Sequence, residues 1–199
     1  MNKILLEYIN RNKKEFIKLI CVILVGIIIG VIFNKLFLSF NEREELKEFI
    51  LNIHDLLKQN ENIDYNLLLR QSLKNNITQI LIIGALGFFI FGNLCIYCIL
   101  LYKGFILGFT IAISLCAYSF SLNFFVMMIA LVIQNIIMIP ILLILSEKCS
   151  KFYKNIIMKK VTLKEELCKQ IIIMLILILL GIVSSLIEIY ISMNLLIAF

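Results

Sequence analysis

The chain has 199 residues, of which 62% are hydrophobic and only 16% charged, with a net charge of +6. Soluble domains run nearer half apolar and a quarter charged, so a water-soluble globule is excluded in favour of an integral membrane protein. The positive charge hugs the apolar runs without aromatic interleaving, which excludes nucleic acid as its partner and leaves membrane topology and anionic lipid as its business. A bilayer crossing needs about 20 mostly apolar residues, and five stretches supply them: 17–39, 77–101, 104–121, 122–146 and 170–193. The second and third are parted only by "LYKG" at 101–104, the third and fourth by "SFSLN" at 119–123. The pattern predicts an all-α, polytopic membrane protein, one integral membrane domain over 1–199, with about five transmembrane helices plus an exterior amphipathic helix.

The first span is too long for a typical signal-peptide core and lacks a following A-x-A-like site, so it reads as a retained signal-anchor. Lys3, Arg11, Lys13, Lys14 and Lys18 precede it. Lys148, Lys151, Lys154, Lys159, Lys160, Lys164 and Lys169 fill the 147–169 segment. Five spans put both basic segments, and Lys103 in the expected 101–104 turn, on one side. The positive-inside rule makes that side cytoplasmic. The 40–76 segment and the C-terminus are then exterior.

Within 40–76, Leu46, Phe49, Ile50, Ile53, Leu56 and Leu57 fall at helical spacing, with Glu45, Lys47, Glu48, Asn52, Asp55 and Lys58 off the stripe. Asn41 is the expected N-cap, followed by acidic residues that suit the positive end of a helix. A second stretch, "DYNLLLRQSLKNN", continues towards span two, with Asp64 as its expected cap. The stripe faces the membrane, the span bundle or a partner protein. In the cytoplasmic segment, "TLKE" at 162–165 has capping-box form, with Thr162 as cap.

Groups for catalysis are scarce. His54 is the lone histidine, which excludes a multi-histidine metal site. No phosphate loop, H-E-x-x-H or G-x-S-x-G is present. No catalytic, cofactor-binding or metal-ligating set is expected, and the chain does not read as an enzyme. "CIYC" at 95–98 has redox spacing but lies within a span, where core cysteines are the better reading. No disulfide is expected.

Glycine and amides carry more information. Gly26 and Gly30 form a G-x-x-x-G in span one, and Gly104 and Gly108 another in span three, extended by Ala112. Such stripes let helix backbones approach closely, within one chain or between self-associating copies. Gln134 and Asn135 lie near the middle of span four, where lipid cannot satisfy an amide, so they are expected to face other helices. Pro140 removes a helical hydrogen bond and bends the span. The three read together as a packing joint. Glu188, near the exterior end of span five, reads as a structural hydrogen-bonding or interface residue. A small transporter or channel lined by Gln134, Asn135 and Glu188 is the rival reading.

Three segments together carry a family resemblance: "YKGFILGFT" at 102–110, "QNIIMIP" at 134–140 and "EIYIS" at 188–192. With the length and span pattern, the chain resembles the stage II sporulation protein M family of endospore-forming bacteria. The matching residues are Lys103, Gly104, Gly108, Phe109 and Thr110; Gln134, Asn135, Ile136, Ile139 and Pro140; and Glu188, Tyr190 and Ser192. Met193 stands where the family pattern leads one to expect proline. The resemblance implies a non-enzymatic membrane scaffold at the sporulation septum and engulfing membrane. It would localise two peptidoglycan-degrading partners, stage II sporulation proteins D and P, during engulfment of the forespore.

Overall fold

The structure is a computed structural model. It describes residues 13–59, 65–89, 92–118, 121–157 and 163–198. Six helices account for nearly all of them, and no strand occurs among the described residues. They are α1 (Lys13–Leu36), α2 (Phe40–Gln59), α3 (Tyr65–Leu86), α4 (Gly92–Tyr118), α5 (Leu122–Ile157) and α6 (Leu163–Ala198). Four helices, α1, α4, α5 and α6, are long and apolar enough to cross a membrane.

The middle of the chain is divided differently from the sequence-based expectation. The 77–101 stretch is not one span. Its first part closes α3 and its second part opens α4, which then continues without a turn through "LYKG". The chain breaks at Gly87–Phe89 instead. The reason lies in space rather than polarity. A side chain at Gly87 would strike Cys149 of α5, and one at Gly92 would strike the carbonyl of Leu86. Two glycines therefore allow the chain to fold back on itself, and the Gly92 N–H closes the turn on the carbonyl of Phe89 (2.9 Å).

α3 nevertheless runs beside α6 for much of its length. Ser72 meets Glu188 towards one end of the pair, and Gly84 abuts Met174 towards the other. Arg70, Lys74, Asn75 and Asn76 make the first half of α3 polar, while Ile80 and Ile83 in its second half are fully buried.

The closest approach in the bundle is between α1 and α4. Side chains at Gly26 and Gly30 would fall on the α4 backbone at Leu101 and Phe105; those at Gly104 and Gly108 would fall on the α1 backbone at Ile23 and Ile27. The two helices are therefore parallel and cross glycine to glycine. Lipid tails are as apolar as leucine, so such a crossing is held by close packing rather than by escape from water. Phe33, Phe37, Phe105 and Phe109 seal the seam above it, with Phe33 edge-on to Phe105 at 5.5 Å. Leu100, Met138, Leu142, Leu145 and Leu177 fill the centre between α4, α5 and α6.

These pairings place the charged ends. Asn93 at the start of α4 bonds Ser150 near the end of α5, and Gln170 near the start of α6 bonds Cys149. The parallel α1 begins at the same end as α4. Basic residues opening α1, closing α5 and opening α6 thus gather at one end of the bundle, while α2 follows the opposite end of α1. Lys103 is no part of the basic end, because it lies inside α4. The expected Thr162 and Asp64 caps lie outside the described residues.

Candidate functional site

α2 is built from its first turn. The cap is Ser39, one residue before α2, and not Asn41, which is already helical. Ser39 N–H and Oγ both donate to Glu42 Oε2 (2.8 Å each), and Glu42 N–H donates to Ser39 Oγ (3.4 Å). This is a reciprocal capping box. Arg43 turns back and donates to the carbonyls of Lys35 (2.6 Å) and Leu38 (3.0 Å), satisfying acceptors left over at the end of α1. The elbow between α1 and α2 is therefore fixed by named bonds.

That cap gives a pH dependence. The Ser39 backbone bond, then its hydroxyl bond, hold the Glu42 carboxyl below its ordinary value of 4.5. A depressed carboxyl stabilises the fold above its unfolded-state value and loses that contribution as pH falls through its folded-state value. The first turn of α2 is expected to fray below about pH 4. Amide exchange at 40–43, corrected for intrinsic rate, should show the loss in the parent chain and no such step in Glu42→Gln.

The apolar stripe on α2 does not present one face. Leu46 and Ile50 are half-buried, whereas Phe49 is 62% exposed. α2 packs on α4 and, more lightly, on α6. The side chains of Ile53, Leu56 and Leu57 lie outside the described residues, as does that of His54.

Inside the bundle, α3 and α6 are stitched by polar groups at helical spacing. Ser72 Oγ donates to Glu188 Oε2 (2.8 Å), and Asn76 Nδ2 donates to Ser185 Oγ (2.9 Å), which itself donates to the carbonyl of Gly181 (3.1 Å). Asn76, Ser184 and Ser185 are almost wholly buried. Glu188 is thus held from α3. Lys103 lies inside α4 and is half-buried. Ser72, Asn76 and Ser185 were not singled out in the sequence, although Gly181, Ser184, Ser185 and Glu188 mark one face of α6 at three- and four-residue steps.

Of the amide pair, Asn135 is the one whose side chain is described. Asn135 is buried, but its Nδ2 donates to the carbonyl of Leu131 in its own helix (2.8 Å), not to a neighbour. The Gln134 side chain lies outside the described residues. α5 continues through Pro140, which sits exposed near exposed Ile136, so the missing hydrogen bond opens outward.

A second polar cluster occupies the basic end. Glu147 is fully buried and pairs with Lys151 (2.6 Å). Beside it, Ser150 Oγ donates to Asn93 Oδ1 (2.7 Å), Gln170 Nε2 donates to Cys149 Sγ (3.0 Å), and Cys149 Sγ to the carbonyl of Ile83 (3.5 Å). Four helices meet here. All six cysteines are free. Among the described residues no three His, Cys, Asp or Glu side chains converge as metal ligands would.

A helical membrane bundle with buried polar side chains that join its own helices, and with a capped helix at the end away from its basic segments, is the class that these features define. Within that class, the chain belongs to the stage II sporulation protein M family, whose model matches residues 19–193. It is accordingly a sporulation-related membrane protein. Comparison with curated proteins and with solved structures returned no significant match. The match covers Lys103, Gly104 and Gly108, the Gln134–Pro140 segment and Glu188. The fold sets Gly104 and Gly108 against α1 and Glu188 against Ser72 of α3, while Asn135 bonds within its own helix.

Proposed function

We propose that the protein is a non-enzymatic membrane scaffold that holds peptidoglycan-degrading partners, stage II sporulation proteins D and P, at the septum during engulfment. The observation that carries this is α2: a capped helix at the end remote from the basic segments, seated on α4 and α6 with Phe49 turned outward. Family membership supports the sporulation setting. Wall and wall hydrolases lie outside the membrane, and on the orientation set by the basic segments α2 lies there too.

That orientation is testable with a native residue. Cys168 is exposed at the basic end, whereas Cys149 is buried and would resist reagent on either side. Cys168 should stay unlabelled by an impermeant thiol reagent in intact cells, and Asn60→Cys should label. Labelling of Cys168 without permeabilisation reverses the orientation.

The docking test separates the two kinds of stripe residue. Burying one phenylalanine contributes about 1.5–3 kcal/mol, so Phe49→Ser should weaken co-purification of the hydrolase roughly 10- to 100-fold at normal membrane abundance. Ile50→Ser, being half-buried against the bundle, should lower abundance as well. Full partner recovery with Phe49→Ser and Ile50→Ser both present in the membrane would overturn docking through α2. Solute flux into vesicles holding the purified chain, lost on Glu188→Gln, would replace the scaffold with a transporter.

A further inference from the structure

The apolar surface of α1 does not stop where the helix does. Along α1 the exposed residues Ile17, Ile20, Leu24, Ile28, Ile32 and Leu36 recur every three or four positions, one stripe of a 3.6-residue helix. In a spanning helix a stripe that meets no other helix faces acyl chains. Leu36 closes it about 27 Å beyond Lys18 at 1.5 Å per residue, close to the roughly 30 Å of a hydrocarbon core. Phe37 extends it: its N–H donates to the carbonyl of Phe33 (3.0 Å) and its ring stacks on that of Phe33 (5.1 Å). Phe40 then opens α2. Leu36 and Phe37 are each 71% exposed and Phe40 76%, so three large apolar side chains stand together where the membrane boundary falls.

The backbone of this elbow satisfies its own hydrogen bonds. Arg43 covers the carbonyls of Lys35 and Leu38, and the Ser39–Glu42 box takes up the N–H groups of both residues. The bilayer core offers no hydrogen-bond partners, so only such an elbow can rest against it. Lys35, exposed beside Leu36, has a stem long enough to carry its ammonium to the lipid phosphates. The two sides of α2 differ as well. Arg43, Lys47 and Leu51 are half-buried on the side that meets the bundle, whereas Asn41, Glu45, Glu48, Phe49 and Asn52 are exposed. At 3.6 residues per turn, Phe40 and Phe49 lie about 180° apart round the helix, Phe40 on the bundle-facing side and Phe49 on the acidic one. We infer that Leu36, Phe37 and Phe40 form an interfacial lipid anchor, set among acyl chains in the leaflet away from the basic segments. It holds the first turn of α2 to the bilayer and turns Phe49 to water. The anchor is read without any protein partner and stands apart from the docking reading above.

The chain has no tryptophan, so a single one reports its own surroundings. Phe37→Trp, Phe40→Trp and Phe49→Trp are each placed in phosphatidylcholine–phosphatidylglycerol vesicles, and their emission is read with brominated acyl chains and, separately, with iodide on both sides of the membrane. Phe37→Trp and Phe40→Trp should lose roughly half their emission to brominated chains, as rings about 5–10 Å below the headgroup boundary do, and less to iodide. Phe49→Trp should show the reverse. A larger loss to iodide at Phe40→Trp overturns the anchor, because the ring is then in water. Loss to neither quencher also overturns it, placing protein, a second copy or the bundle itself, over the elbow. A larger loss to bromine at Phe49→Trp would show α2 sunk along its length and overturns the posture. Should Phe40→Trp fail to accumulate, Phe37→Trp decides by the same two quenchers. Because the chain is alone in these vesicles, a hydrolase that ignores Phe49→Ser defeats docking and leaves the anchor standing.

Discussion

Gly108→Ala is expected to destabilise the bundle by about 1–3 kcal/mol, the usual cost of overpacking, whereas Gly181→Ala should cost little or nothing. Both changes add one methyl to a helix and gain about 1 kcal/mol of helix propensity. They differ in what the methyl meets. At Gly108 it lands on the carbonyl oxygen of Ile27, an atom of the α1 backbone that moves only if the helix moves. At Gly181 it meets Cδ1 of Ile80 at 2.8 Å, the end of a flexible side chain that can rotate away. Gly26, Gly30 and Gly104 have the same backbone neighbours as Gly108 in kind, so alanine there should behave like Gly108→Ala. Thermal unfolding of the purified chain in one detergent gives the comparison. Equal melting of Gly108→Ala and the parent would show that α1 and α4 do not cross as described.

How far the sequence led depends on the kind of interaction. Glycine at four-residue spacing is legible because it acts by absence: Gly26, Gly30, Gly104 and Gly108 announce a close contact whichever helix comes opposite. Hydropathy located α1, α5 and α6 well for a similar reason, since lipid judges each helix by its own composition. It failed at 77–104, where Lys103 and Gly104 looked like a turn. One charge and one glycine do break an isolated helix pattern, but here Gly104 packs on α1 and Lys103 is half-buried within a continuous α4. The glycine of the false turn is a tertiary contact. The true break, at Gly87–Phe89, lies in an uncharged run that hydropathy cannot see. Asn135 failed in the opposite sense. An amide in a span was expected to seek another helix, yet the carbonyl four residues back was nearer. Local bonding of this kind competes with any interhelical partner. Ser39 displaced Asn41 as cap because Glu42 can close the box on Ser39, a choice between neighbours that composition leaves open. The pairs Asn93–Ser150 and Asn76–Ser185, 57 and 109 residues apart in sequence, required the fold.

Lys151→Met is expected to cost more than any other change at the basic end, about 3–5 kcal/mol in the limit of a fully buried pair. Glu147 has no exposed surface, and Lys151 Nζ approaches its Oε1 at 2.6 Å from one turn further along α5. The two sides of the pair are not equivalent. Lys151 is 35% exposed along its side chain, so after loss of Glu147 its ammonium can extend to water on a long stem. Glu147 has no such escape: its stem is short, and its neighbours Ser146 and Ser150 are themselves buried. Removing the lysine should therefore hurt more than removing the acid, with Glu147→Gln costing roughly 1–2 kcal/mol as a hydrogen-bond change. The double variant Glu147→Met with Lys151→Met should recover most of the loss, because an apolar pair of similar volume needs no compensation. A double-mutant cycle on thermal stability reads all three numbers. Equal costs for the two single changes would show that Glu147 is hydrated, and a double variant no better than Lys151→Met would show that the pair's contribution is shape rather than charge. The cluster sits where α3, α4, α5 and α6 meet, so this cycle also measures how firmly the basic end ties those four helices together.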